Sequence, residues 1–135
     1  MVIEGCRNVK SLEGLNPNFC EIQAERSGLT SLEGCPDDID SLYVDSTEIT
    51  SFDGISNLIC NILSAESCEK LTSLDGIPIE VNYLYLNKSN NIPLDDFDRL
   101  KKVKSLAVSL RPGILTKFHE LIHDTKIFKR KSFVL

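Results

Sequence analysis

Four copies of one tetrapeptide at near-constant spacing limit this chain to a repeating architecture. Ser-[Leu/Phe]-[Glu/Asp]-Gly occurs at 11–14, 31–34, 51–54 and 73–76, at intervals of 20, 20 and 22 residues. A period that short holds one extended segment and its return, so a single copy has no core of its own and must bury its apolar side against the next. About ten residues after each anchor comes a β-prone run, at 21–24, 41–44, 61–64 and 83–86, and a fifth follows at 105–108. Within these runs apolar residues alternate with period two, which sends one set of side chains into a core and the other onto an open face. Counting ten from the apolar residue of each anchor predicts Ile22, Leu42, Ile62 and Leu84 inward, joined by Leu106 of the fifth run, and Gln23, Tyr43, Leu63, Tyr85 and Ala107 outward. Leu12, Leu32, Phe52 and Leu74 make a second inward column, and Gly14, Gly34, Gly54 and Gly76 mark turns whose backbone disfavours a Cβ.

The segment Ile39-xx-Leu42-x-Val44-xx-Thr47-x-Ile49 resembles the leucine-rich-repeat signature Leu-xx-Leu-x-Leu-xx-Asn-x-Leu. Phe19-xx-Ile22-x-Ala24-xx-Ser27-x-Leu29, Ile59-xx-Ile62-x-Ser64-xx-Ser67 and Val81-xx-Leu84-x-Leu86-xx-Ser89 repeat it. Together with the phrasing Leu-Thr-Ser-Leu-x-Gly-x-Pro at 29–36 and 71–78, they look most like the short repeats of bacterial effector proteins. The chain departs from that pattern in one column, where Ser27, Thr47, Ser67 and Ser89 stand in place of asparagine. The resemblance implies a right-handed parallel β-solenoid of about five short repeats over residues 1–109. It also implies a non-enzymatic, protein-binding role, as an effector or inhibitor of bacterial, phage or viral origin.

After Arg111-Pro112-Gly113 the period changes. Ile114, Leu115, Phe118, Leu121 and Ile122 fall on one helical face, which predicts an amphipathic C-terminal α-helical cap over 110–135, closing the open end of the solenoid within one structural domain. The segment 94–102 is predicted to be a short helix, and the tail 127–135 to add an edge strand to the cap.

Charge is unevenly divided between these parts. Residues 1–98 carry 18 acidic and 5 basic side chains, whereas residues 99–135 carry 2 acidic and 10 basic. An acidic body repels phosphate backbones, so nucleic acid is an unsuitable partner except through the basic tail. No apolar stretch approaches the roughly 20 residues of a membrane helix, and the start lacks the pattern of a secretory signal. Five cysteines, Cys6, Cys20, Cys35, Cys60 and Cys68, form no CxxC pair, and their odd number speaks against a disulfide framework. These features predict a cytoplasmic monomer with reduced thiols and no cofactor.

Two motifs point to other chemistry. His119-Glu120-Leu121-Ile122-His123 satisfies the zinc-hydrolase pattern HExxH, which would make His119 and His123 metal ligands and Glu120 the base. No His, Asp or Glu follows Asp124 to complete the ligand set, and on a helical wheel both imidazoles turn away from the apolar face. Cys35-Pro36-Asp37 resembles the Cys-x-Asp of bacterial ubiquitin ligases, but Cys35 occupies the packing column of Leu15, Ile55 and Ile77. A third alternative is self-assembly, with the acidic body of one copy meeting the basic tail of the next.

The open face offers the stronger signal. A solvent face should be polar, yet Tyr43, Leu63 and Tyr85 are predicted to form an apolar stripe with Tyr83 beside it and Gln23 at one end. Glu25, Asp45, Glu66 and Lys88 supply a charged rim, an arrangement typical of protein interfaces. These nine residues form the predicted partner-binding set.

Overall fold

The computed structural model describes residues 1–14, 19–104, 107–109 and 132–134. Six strands, β1 Glu21–Gln23, β2 Ser41–Tyr43, β3 Ile59–Ser64, β4 Glu80–Tyr85, β5 Ala107–Ser109 and β6 Ser132–Val134, form one sheet in chain order with every pair parallel. Parallel neighbours need a crossover between them, and the crossovers from β1 to β2, β2 to β3 and β3 to β4 each carry a Ser-x-x-Gly anchor. Met1–Ile3 extends the sheet beyond β1, where Val2 bridges Gln23 and Ile3 N donates to Gln23 O at 2.8 Å.

Each residue of the anchor has a separate job. The serine hydroxyls of Ser31, Ser51 and Ser73 accept the backbone N–H two residues on, at 3.1, 3.2 and 3.0 Å, which closes the turn locally. Leu12, Leu32, Phe52 and Leu74 are fully buried. The glycines lie at φ +81°, +91°, +105° and +81°, the left-handed region where a side chain is strained. Backbone bonds such as Leu12 N to Glu33 O at 2.9 Å and Phe52 N to Asp75 O at 2.8 Å then tie each turn to the next.

A second column of turns follows the strands. Arg26, Ser46, Ser67 and Lys88 all have φ between 56° and 66°. A left-handed non-glycine residue costs roughly 1 to 2 kcal/mol, and the first three offset this by donating to Asp45 O, Glu66 O and Asn87 O at 2.9, 2.9 and 3.0 Å. The next residue in each case, Ser27, Thr47, Cys68 and Ser89, is buried. Thr47 Oγ1 donates to Val44 O at 2.7 Å, and Ser89 Oγ accepts Cys68 N at 3.0 Å while donating to Ala65 O. Thr47 and Ser89 thus bridge backbone groups through their hydroxyls, whereas the buried Ser27 Oγ has no hydrogen-bond partner among the described residues. In the third repeat the residue at this place is Cys68 and not Ser67, as the left-handed φ of Ser67 makes plain.

The core is a stack of apolar rows. Ile22, Leu42, Leu63, Leu84 and Val108 pair in register across five strands and are all buried. This overturns the predicted outward position of Leu63: it is fully buried, and Ser64 takes the outward place beside Tyr43 and Tyr85. The cause is a matter of counting. Ten residues separate Leu12 from Ile22 and Leu32 from Leu42, but eleven separate Phe52 from Leu63 and eleven more lead to Leu74, so the 22-residue interval places one extra residue on each side of β3. The fifth strand is shifted as well. Ala107 pairs with Tyr83, not Tyr85, and Val108 fills the inward row.

The segment Leu94–Lys102 is a 3₁₀ helix. Three residues per turn bring Leu94, Phe97, Leu100 and Val103 onto one side, and the last three are buried. Asp96 accepts the backbone N–H of Leu74, and Arg99 pairs with Asp75 at 2.6 Å, so this helix is fastened to the preceding turn. β6 extends the sheet from β5, so the strand expected within the cap instead continues the main parallel sheet. The predicted helical cap falls on residues outside the described ones apart from β6. Among the described residues no helix is long and apolar enough to cross a membrane.

Candidate functional site: the open face of the sheet

Because the strands pair in register, outward residues line up in columns running across the sheet. One column reads Glu21, Ser41, Ile62, Tyr83, and the next reads Gln23, Tyr43, Ser64, Tyr85. Tyr83 is 46% exposed, while Ile62, Tyr43 and Tyr85 are half-buried by their neighbours. Rungs of a sheet are about 4.8 Å apart, so these four residues form one continuous patch.

Carboxylates border this patch along both edges. At the C-terminal ends of the strands Glu25, Asp45 and Glu66 follow one another from rung to rung, each carbonyl accepting the N–H of the preceding left-handed turn residue, Gly5, Arg26 and Ser46 in order. Asp45 Oδ1 accepts both Ser64 Oγ at 2.6 Å and Glu66 N at 2.7 Å, and Glu66 Oε1 accepts Asn87 Nδ2 at 3.3 Å. Glu25 has a raised pKa, first because burial removes water from it and then because Glu4 and Asp45 repel its charge. Arg26, the nearest cation, is engaged with Glu4. Lys88 is exposed in its left-handed turn at the far end of the row.

At the N-terminal ends of the strands lies a groove of about 380 Å³ lined in part by Asp38, Asp40, Ile59, Glu80 and Asn82. Ile59 bridges Asp38 on one side and pairs with Glu80 on the other, and it is 52% exposed. Asn82 Nδ2 donates to Asn61 Oδ1 at 3.0 Å, which joins β4 to β3 above the groove. None of this edge belongs to the predicted binding set. The one signal that could have revealed it is Ile59, an apolar side chain next to the inward Cys60 in the inserted repeat.

No family model, curated protein or solved structure matches the chain.

The alternatives to binding fare differently. Cys35 is buried, and burial pushes its thiol up to about 12, with Cys60 and Asp37 adding repulsion. Cys60 is likewise pushed up to about 12, first by burial and then by Asp40. A thiol raised by burial favours its protonated form at neutral pH, and Cys35 is packed within the core cluster. All five cysteines are free, with Cys6 and Cys20 exposed. Iodoacetamide at pH 8 is accordingly expected to modify Cys6 and Cys20 in the native protein and to leave Cys35, Cys60 and Cys68 unmodified until denaturant is added. Peptide mapping that finds Cys35 alkylated as fast as Cys6 would refute this reading. His119 and His123 lie outside the described residues. Among the described residues no three His, Cys, Asp or Glu side chains converge to hold a metal ion.

Proposed function

We propose that the chain is a right-handed leucine-rich-repeat solenoid that binds another protein through the open face of its sheet, and that it acts in the cytosol without catalysis. The repeated Ser-x-x-Gly turns, the second column of left-handed turns and the aliphatic rows support the architecture. Five free thiols are in keeping with a reducing compartment. The observation that carries the function is the patch formed by Tyr43, Ile62, Tyr83 and Tyr85, where two of the columns facing solvent hold aromatic and aliphatic side chains. Aromatic anchors of this kind dominate the energy of protein interfaces.

The test begins with binders chosen without regard to the face. Peptides are selected from a random display library on the intact protein and then measured against the variant Tyr43→Ala, Tyr83→Ala, Tyr85→Ala. Because none of the three is fully buried, each replacement is expected to change stability by no more than about 1 kcal/mol. The triple variant is expected to lose binding by about 2 kcal/mol or more, roughly thirtyfold. Binders that hold the parent and the still-folded variant equally well would move the contact surface elsewhere and defeat the proposal.

A further inference from the structure

The charge around the patch is one-sided to a degree that names the chemistry of a partner. Segments 21–25, 38–45, 59–66 and 80–87, which carry β1 to β4 and both edges of the face, contain seven carboxylates and no lysine, arginine or histidine. Residues 1–98 have only five cations. Three of them, Arg7, Lys10 and Lys70, gather in one cleft of about 530 Å³ beside Glu48, well past the strand ends, where Lys70 pairs with Glu48. Arg26 is held by Glu4, which leaves Lys88 at the rim. Within residues 1–98 the neutralising charges thus lie off this face, and Lys104 follows Glu80 at the N-terminal edge on the next rung.

We infer that the open face receives an extended, basic segment of a partner protein, with arginine or lysine side chains lying over Tyr43, Tyr83 and Tyr85 and reaching the carboxylates at the two edges. The inference rests on the binding role proposed above. A floor of aromatic rings between two acidic walls suits a guanidinium in particular. Its plane stacks on a tyrosine ring while its N–H groups donate outward, and it gives up less hydration than an ammonium on doing so. The walls also complement one another in reach: Glu25, Asp45 and Glu66 stand beyond the Tyr43–Tyr85 column, and Asp38, Asp40 and Glu80 stand on the opposite side of Ile62 and Tyr83. Crowded like charges gain most from an incoming cation, and the repulsion of Glu25 by Glu4 and Asp45 shows that crowding.

The composition of the selected peptides is the first readout, and enrichment in arginine and lysine is expected. The second is a pair of variants with equal charge change. Glu21→Gln, Asp40→Asn, Glu66→Gln removes three of the seven carboxylates of the face while keeping hydrogen-bond acceptors there, and Glu13→Gln, Glu33→Gln, Asp53→Asn removes three exposed carboxylates at the anchor turns. Loss of three carboxylate–cation pairs is expected to weaken a selected basic peptide about tenfold, while the turn variant binds as the parent does. Equal weakening in both variants would reduce the effect to overall charge and overturn the inference. Neutral or acidic peptides that nevertheless require Tyr83 would overturn the partner's chemistry and leave the binding role standing, whereas peptides indifferent to Tyr83 and Tyr85 would remove both. Light scattering that finds a low-salt dimer, dissolved by the face variant, would place a second copy there and overturn the inference as well.

Discussion

Leu63→Ala is expected to destabilise the protein by about 2 to 5 kcal/mol, the range for truncating a fully buried leucine, whereas Ile62→Ala one residue earlier is expected to cost about 1 kcal/mol. The two neighbours have similar volume and share a strand, so only the face they occupy separates them. Leu63 stands between Leu42 and Leu84 in the central inward row and is fully buried, while Ile62 stands between Ser41 and Tyr83 on the open side. Collapse around the missing side chain is hindered because the rungs above and below are fixed by ladder hydrogen bonds, such as Val44 N to Ser64 O at 2.8 Å and Ala65 N to Tyr85 O at 2.9 Å. A void that cannot close keeps its full cost. Small domains have net stabilities of about 5 to 15 kcal/mol, so the loss is large enough to read directly from urea midpoints. The opposite ranking, with Ile62→Ala severe and Leu63→Ala mild, would mean that β3 is displaced by one residue.

That one-residue question also marks the limit of what the sequence reveals. The repeat, the parallel order of its strands and the inward columns of Leu12, Leu32, Phe52 and Leu74 follow from spacing, because a 20-residue period leaves few ways to bury an apolar side. Around β3 the spacing becomes ambiguous. Ile59, Cys60, Ile62, Leu63 and Ala65 place apolar side chains on both faces, so alternation has no preferred phase, and the interval of 22 residues does not say where its two extra residues sit. Backbone geometry decides the matter, since the left-handed φ of Ser67 aligns it with Arg26, Ser46 and Lys88 and thereby fixes Cys68 in the buried column. A slip by one flips every side chain across the sheet, which is how Leu63 entered the predicted stripe. The tyrosines were unaffected, because β2 and β4 have clear alternation and an unaltered ten-residue count from Leu32 and Leu74. The acidic wall formed by Asp38, Asp40 and Glu80 escapes the alternation rule for a different reason: its residues stand just before β2 and at the first position of β4, where alternation has not yet assigned a face.

Gly34→Ala is expected to be among the most damaging small substitutions in the repeats, and Gly14→Ala, chemically the same change in the same motif, a far milder one. Both glycines have left-handed backbones, with φ +91° and +81°. Holding a non-glycine residue in such a conformation costs of order 1 to 3 kcal/mol, and both variants bear that cost. Their surroundings differ. A Cβ on Gly14 meets nothing within 4 Å, since this turn is the first in the column. A Cβ on Gly34 would be driven into the backbone of the preceding turn, against Leu12 C and Glu13 N and Cα, which are rigid atoms and not the free end of a side chain. The turns cannot separate to make room, because the bond from Leu12 N to Glu33 O at 2.9 Å holds them together next to the clash. Forcing extra volume into a packed site adds typically 1 to 3 kcal/mol, so strain and overlap together come to roughly 2 to 6 kcal/mol. Against a total of about 5 to 15 kcal/mol, Gly34→Ala approaches the loss of the folded state, while Gly14→Ala leaves a cooperative melt shifted by the strain alone. Thermal denaturation of the two variants beside the parent measures the difference. Equal losses would mean that the turns do not stack as closely as the Leu12–Glu33 bond requires, and that the glycines are retained for conformation alone.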